Sequence, residues 1–483
     1  MAQITIKNFK GINLREGNWA DAFASYASGI DLFGLADNAN KISRANVLQS
    51  TLKVCAMSGA TSGNGVVTEE VQDFAYFDTA NPYWYAIGRV NNARLYRLNS
   101  GTWEYVSAIN TSGNGNNLIQ YGANLYYATH TYLGQYDGTN GNANFQAFTD
   151  TISAPRPMKV FNGSLFIGQG RYVDKYDGTT YSSQKLTLPA NYDVRSIEIY
   201  QNRLFISADN AQISQIFVWD GTSNTFESAI NILGEAAAPS LITANNILWA
   251  VSNRGTSIPT TGVWTYTGSS FEQVFDLPFP RENQFAPPNS LAVYRTGILI
   301  GGEEGASAKY EDGGGGLWFV GKNLSENVYY AVLLFLTGNT PLRKAFNGTV
   351  ASKGIVYVGI TDTTTGTSYE IHQVDFTNYY VSTGIWQSLP IDAGSTEQKV
   401  WHGIKINADT LAANQTVTIL YRLDDGTAFT SLKQFTSGDM EQYIPIGLTS
   451  RTITIRLQIA TGGADANTTR IHSFTLDYTP TKI

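Results

Sequence analysis

The sequence predicts an all-β chain: a β-propeller of about seven irregular blades followed by a C-terminal β-sandwich, with an extended N-terminal arm. Three observations predict it. A degenerate unit recurs at intervals of about 40 residues through the middle of the chain, close to the length of a four-stranded propeller blade. Most of these units close on an aromatic residue followed by Asp-Gly. Beyond Trp386, apolar and polar residues alternate strictly, as they do in an antiparallel sheet with one dry face.

The repeat is clearest in four stretches. They are NLIQYGANLYYATHTYLGQYDGTNG, ending at Gly141, MKVFNGSLFIGQGRYVDKYDGTTY, ending at Tyr181, IEIYQNRLFISADNAQISQIFVWDGTSNTF, ending at Phe226, and LITANNILWAVSNRGTSIPTTGVWTYTGSSF, ending at Phe271. Leu125, Leu165, Leu204 and Leu248 are equivalent, and so are the turns Tyr136-Asp137-Gly138, Tyr176-Asp177-Gly178, Trp219-Asp220-Gly221 and Tyr266-Thr267-Gly268. Asp-Gly supplies the positive φ of a hairpin turn, and the aromatic before it is expected to pack between neighbouring blades. Weaker units lie in residues 73–109, 288–336 and 342–386. These assign residues 61–385 to the propeller.

Residues 386–483 form the predicted sandwich. Val417, Ile419, Tyr421 and Leu423 share one face of a strand, as do Ile453, Ile455, Leu457 and Ile459, and again Phe474, Leu476 and Tyr478. Residues 1–60 are the arm. Within it Trp19, Phe23 and Tyr26 fall at helical spacing and predict a short amphipathic helix.

Composition agrees with short strands and polar turns. Charged residues make up 15% of the chain, against about a quarter in ordinary soluble domains, while aromatics reach 12%. The net charge of −7 provides no global basic field to hold nucleic acid or an anionic membrane. The single cysteine, Cys55, excludes an intramolecular disulfide and a multi-thiolate metal site. The opening MAQITIKNFKGI lacks the apolar stretch of a signal peptide, and no apolar run is long enough to span a bilayer as a helix.

Catalytic and metal motifs are missing from the sequence. His130, His372, His402 and His472 are scattered, with no ligand spacing among them. No GxSxG elbow occurs. The adjacent acids Glu69-Glu70, Glu303-Glu304 and Asp424-Asp425 would point to opposite faces of a strand, so they read as turn residues. The run Gly313 to Gly316 lacks the Lys-Ser/Thr of a phosphate loop. The expectation is no enzyme, no catalytic or metal-binding residue and no cofactor.

Three stretches resemble the β-propeller virion proteins of tailed bacteriophages, the tail nozzle or hub type. They are the opening ITIKNFKGINLREG followed by SRANVL at 43–48, the blades with aromatic-Asp-Gly turns, and the end from KVWHGIKI through VTILYRLDDGTAF and ITIRLQIATGG to FTLDY. The resemblance implies a structural virion subunit, made in the host cytoplasm. It implies assembly with itself into a ring, sixfold in the simplest case, beside neighbouring tail, adaptor or portal proteins. DNA would pass through the ring without sequence-specific binding. The alternative is a receptor- or glycan-binding tail protein holding sugars through aromatics such as Trp84, Trp103 and Trp318.

Overall fold

The structure, a computed structural model, describes residues 2–6, 24–28, 54–56, 70–78, 82–88, 92–106, 111–112, 115–150, 155–210, 213–232, 239–254, 260–277, 290–294, 297–301, 316–323, 328–336, 344–352, 355–362, 368–374, 383–388, 390–424, 426, 428–436, 438, 443–460 and 470–481. Every regular element longer than a single turn among them is a β-strand. The chain divides into two compact units. One gathers Met1–Cys55, Trp318–Leu336 and Val374–Ile483, and the other Ala56–Leu317 and Thr337–Gln373.

The second of these is propeller-like, built from four-stranded antiparallel sheets in chain order. Sheet 1 holds Val71–Phe77, Tyr83–Gly88, Leu95–Asn99 and Thr102–Tyr105. Sheet 2 holds Gly115–Tyr121, Asn124–Thr129, Tyr132–Tyr136 and Gly141–Ala147. Sheet 3 holds Met158–Phe161, Ser164–Gln169, Tyr172–Tyr176 and Tyr181–Thr187. Sheet 4 holds Asp193–Tyr200, Arg203–Asp209, Ser214–Trp219 and Ser228–Asn231. Sheet 5 holds Ser240–Ala244, Ile247–Arg254, Thr260–Tyr266 and Phe271–Leu277. A hairpin, Leu291–Tyr294 with Gly297–Gly301, and the strands Lys344–Ser352, Ile355–Asp362 and Ser368–Val374 complete the unit.

The sequence explains both the turns and the stacking. Sheets 3, 4 and 5 join their first two strands through Asn162-Gly163, Gln201-Asn202 and Asn245-Asn246, all at positive φ, which suits the twist of a tight hairpin. Second strands are dry on both sides: Ser164–Gln169 is buried at every position. They therefore read as unbroken runs such as SLFIGQ rather than as alternation. Leu125, Leu165, Leu204 and Leu248 all sit on second strands with no exposed surface. Separate apolar clusters join sheet 1 to 2, 2 to 3, 3 to 4 and 4 to 5. A further cluster seats Tyr357 and Ile371 against Phe74 and Trp84 of sheet 1. The first strands of sheets 1 to 5, then Leu291–Tyr294, then Lys344–Ser352, neighbour one another in chain order, and Lys344–Ser352 adjoins Val71–Phe77. The circuit is closed.

The other unit has two sheets that share one core. Ala2–Ile6, Ile471–Pro480, Lys399–Ala408 and Tyr443–Ser450 form one of them, in that lateral order. In the other, Thr383–Ser388 pairs with Ile453–Ala460, which pairs with Thr416–Leu423, which pairs with Thr430–Phe435. Trp401, Ile404, Ile406, Phe474 and Leu476 of the first meet Trp386, Ile419, Ile455 and Leu457 of the second. The alternation of Val417 and Ile419, and of Ile453, Ile455, Leu457 and Ile459, is realised, with all of these side chains fully buried.

One expectation for the arm is corrected. The helix expected around Trp19, Phe23 and Tyr26 is not formed at its C-terminal part. Ala24–Ser28 is a strand, antiparallel to Thr383–Ser388 and touching Val328–Leu336 in parallel. Sheet partners supply backbone hydrogen bonds that a short helix of modest propensity does not outweigh. Trp19 and Phe23 lie outside the described residues. Within the arm, Ala2–Ile6 is an edge strand paired with Ile471–Pro480. Trp318–Leu336, expected within the propeller span, groups with the unit that holds both chain ends.

Candidate functional site

The first strands enclose a central cavity of about 500 Å³. Its lining draws on all seven strands of the circuit and mixes polar with apolar surface, Asn117, Gln120 and Thr243 beside Ile119, Val160 and Ile242. Charge enters at Asp73, Lys159 and Glu198.

Each charged group is tied to the framework. Lys159 Nζ lies 2.6 Å from Glu198 Oε2, joining sheets 3 and 4, and Glu198 Oε1 accepts the N–H of Ile199 at 3.0 Å. Asp73 Oδ1 accepts the N–H of Phe74 and Oδ2 accepts the N–H of Leu118, both at 2.8 Å. Asp73 thus bridges sheets 1 and 2 where each first strand shifts register. Ser196 Oγ plays the same part between sheets 4 and 5, accepting the N–H of Leu241 at 3.0 Å beside another register shift. A first strand is the inner edge of its sheet, so some of its N–H groups lack a ladder partner, and these side chains of the neighbouring sheet satisfy two of them. Burial lifts Asp73 from its ordinary 3.8 to about 7, although the Leu118 and Phe74 N–H groups pull the other way. Crowding by the surrounding strands outweighs the contact that this half-buried side chain keeps with the cavity.

A second repeated device lies where the sheets meet. In sheets 2, 3 and 5 the turn tyrosine folds back to donate to the turn glycine: Tyr136 to the Gly138 carbonyl and Tyr176 to that of Gly178, both at 2.8 Å, and Tyr266 to that of Gly268 at 2.5 Å. In sheet 4, Trp219 Nε1 donates to the Ser223 carbonyl at 2.9 Å. Each ring packs on the preceding sheet: Tyr136 on Tyr85, Tyr176 on Tyr121 and Tyr126, Trp219 on Phe166, and Tyr266 on Tyr200 and Phe205. The aspartates close the turns. Asp177 Oδ1 accepts the N–H groups of Thr180 and Thr179, which hold its carboxyl down at about 2. For Asp220 slight burial works upward, but the N–H groups of Ser223 and Thr222 prevail and hold it at about 2. Gly138, Gly178, Gly221 and Gly268 have φ of 98°, 97°, 77° and 104°, where a side chain would be strained.

A polar cluster lies dry between sheets 2 and 3. Asp174 Oδ2 accepts from Gln169 at 2.9 Å and from Tyr181 at 2.5 Å, while Oδ1 accepts the N–H of Gln184 at 2.7 Å. Nearby Arg156, fully buried, donates to the carbonyls of His130 and Asp150 and lies over the Phe148 ring. Burial lowers Arg156 to about 10 and raises Asp174.

The residues singled out in the sequence are not brought together. His372 pairs with Glu370 at 2.6 Å, His402 with Thr479 at 2.8 Å and His472 with Asp409 at 2.8 Å, each in its own surroundings. Among the described residues no group of three His, Cys, Asp or Glu is placed to hold a metal ion. Asp424 is a turn residue, its Oδ1 accepting the N–H groups of Arg451 and Thr452. Cys55 lies on the strand Val54–Ala56, its side chain outside the described residues, as are Glu69, Glu303, Glu304, Asp425 and Gly313 to Gly315. Trp84, Trp103 and Trp318 are buried, at 6%, 1% and 3% exposure, so they offer no platform for a sugar. Asp73, Glu198 and Asp174 were missed in the sequence. Their signal is a carboxylate inside an otherwise apolar strand, as in VQDFAYF and RSIEIY.

No helix of the described residues is long and apolar enough to cross a membrane. No protein-family model and no curated protein sequence matches the chain. Among solved structures, the chain is similar to a computationally designed protein, Ika8, at 11% identity and a TM-score of 0.39, over 69% of this chain and 96% of that one. It is also similar to the extracellular domain of a hybrid two-component system from B. thetaiotaomicron, at 12% identity and a TM-score of 0.45, over 82% of this chain and 47% of that one. The N-terminal domain of Nup159 is similar at 13% identity and a TM-score of 0.37, over 66% of this chain and all of that one.

Proposed function

We propose that the chain is a structural subunit of a bacteriophage tail, of the nozzle or hub kind, with a seven-bladed propeller and a C-terminal β-sandwich. One observation carries the scaffold reading. The repeat's characteristic polar groups are consumed internally, by the aromatic-led turn clasps that fasten sheets 2 to 5 each to the one before it. The cavity carboxylates are likewise engaged, Asp73 by two N–H groups and Glu198 by Lys159. The likeness of ITIKNFKGINLREG, of the blades and of the terminal strands to phage virion proteins supplies the biological setting.

On this reading DNA passes between copies of the chain, arranged as a ring, six in the simplest case. The net charge of −7 suits a surface past which DNA must move without sticking. Adaptor, portal or other tail proteins would cover the ends of the ring. The test is particle composition together with assembly. Purified chain should form closed rings by sedimentation and electron microscopy, and purified particles should contain it. A chain that stays monomeric at every concentration and is missing from particles would overturn the proposal.

A further inference from the structure

The central cavity holds a charge that its own lining does not balance. Asp73, Lys159 and Glu198 are the charged residues of the described lining. Lys159 is the cation that Asp73 feels, yet Glu198 already holds it at 2.6 Å. Asp73 is left with hydrogen bonds but no ion pair among the described residues. With all three groups ionised, the wall carries one surplus negative charge. Asp73 is also placed where a ligand can reach it. Its donors, the N–H groups of Phe74 and Leu118, belong to first strands, the terminal strands of their sheets. Donors on those inner edges face the channel, so the carboxylate that accepts from both lies between the edges, at the wall. The side chain is half-buried and borders the cavity. Each oxygen accepts one N–H, which leaves roughly two of the carboxylate's four acceptor positions open.

We propose that the cavity binds a small aliphatic amine in its protonated form, with the ammonium seated on Asp73 and the hydrocarbon along the apolar side of the wall. Ile119, Val160 and Ile242 supply that apolar side. A primary ammonium brings charge and three donors, which suit the open acceptor positions of a carboxylate. A quaternary ammonium is recognised by aromatic faces, and the described lining has none. A hard metal ion needs several oxygen ligands, and no group of three His, Cys, Asp or Glu is placed for one among the described residues. An anion would meet surplus charge of its own sign. Burial lifts Asp73 to about 7 because nothing in the wall compensates its charge, and a bound ammonium supplies that compensation. The inference does not depend on ring assembly. It gives the cavity an occupant that a purely structural role does not require.

The test uses the full chain with hexylamine, its neutral counterpart hexanol and its acidic counterpart hexanoate. Binding is read by calorimetry at about pH 8, where Asp73 is ionised, and by NMR of methyl-labelled methionine. Met158 borders the cavity, and Met158→Leu identifies its signal. Hexylamine should bind with a millimolar dissociation constant and shift the Met158 methyl. Hexanol should bind about tenfold or more weakly than hexylamine, and hexanoate more weakly still. Asp73→Asn keeps the shape of the side chain and removes its charge. It should weaken hexylamine binding about tenfold or more and leave hexanol within about threefold of the parent. Melting curves establish that the variant folds. If it does not, the comparison of hexylamine with hexanol on the parent decides. Hexanol binding as tightly as hexylamine, a Met158 methyl unmoved by about 10 mM hexylamine, or parent-like hexylamine affinity in folded Asp73→Asn overturns the inference.

Discussion

Truncating Tyr176 to alanine tests the clasp between sheets 2 and 3. The ring is 7% exposed and meets Tyr121, Tyr126 and Phe145 at centroid distances of 5.9, 5.8 and 5.4 Å, mostly edge to face. Its hydroxyl donates to the Gly178 carbonyl at 2.8 Å. Removing a large buried aromatic costs about 3–5 kcal/mol. The hydroxyl accounts for roughly 1 kcal/mol of this, so Tyr176→Phe should lose only that share. A double-mutant cycle with Tyr121→Leu isolates the contact across the sheets, expected at about 0.5–1.5 kcal/mol. Urea unfolding of the full chain supplies the free energies, and hydrogen exchange locates the change. Amides of Asn124–Thr129 and Tyr172–Tyr176 should lose protection first. A Tyr176→Ala loss below about 1 kcal/mol, or a coupling indistinguishable from zero, would refute the clasp.

Three further outcomes are expected. Asp73 is raised to about 7 by burial, so its contribution to stability is complete below about pH 4 and is lost as pH rises through about 7; Asp73→Asn should flatten the stability profile over that window in pH-dependent melting. Asp177 and Asp220 are lowered to about 2, so their contribution is present above about pH 4 and lost as pH falls through about 2. The double variant Asp177→Ala, Asp220→Ala should melt below the parent at neutral pH and converge with it near pH 2. Lys399, fully buried, donates to the carbonyls of Ser395 at 2.6 Å, Glu397 at 2.7 Å and Arg451 at 3.2 Å. Lys399→Met strands these acceptors and should cost about 2–4 kcal/mol by urea unfolding.

The repeat was legible because its signal is local. Leu125, Leu165, Leu204 and Leu248 hold equivalent places on second strands, and each Asp-Gly turn sits within a few residues of the aromatic it serves. What escaped depends on distant partners. Asp73 gains its role from the Leu118 N–H in the next sheet, and Ser196 from that of Leu241. The helical spacing of Trp19, Phe23 and Tyr26 misled because pairing with Thr383–Ser388 outweighs local preference at Ala24–Ser28. The Trp84 and Trp103 side chains attracted a surface role, but neighbouring Phe74 and Tyr357 enclose them.

Thr5 and Thr475 touch across 470 positions of chain, in a ladder joining Ala2–Ile6 to Ile471–Pro480. During synthesis at about 5–20 residues per second, the opening strand waits roughly half a minute to a minute and a half for its partner to leave the ribosome. The repeated sheets meanwhile can fold one after another as they emerge. An unpaired strand held idle that long is a docking edge for any nascent neighbour on the same messenger, so slowing translation should raise the fraction of intertwined chains.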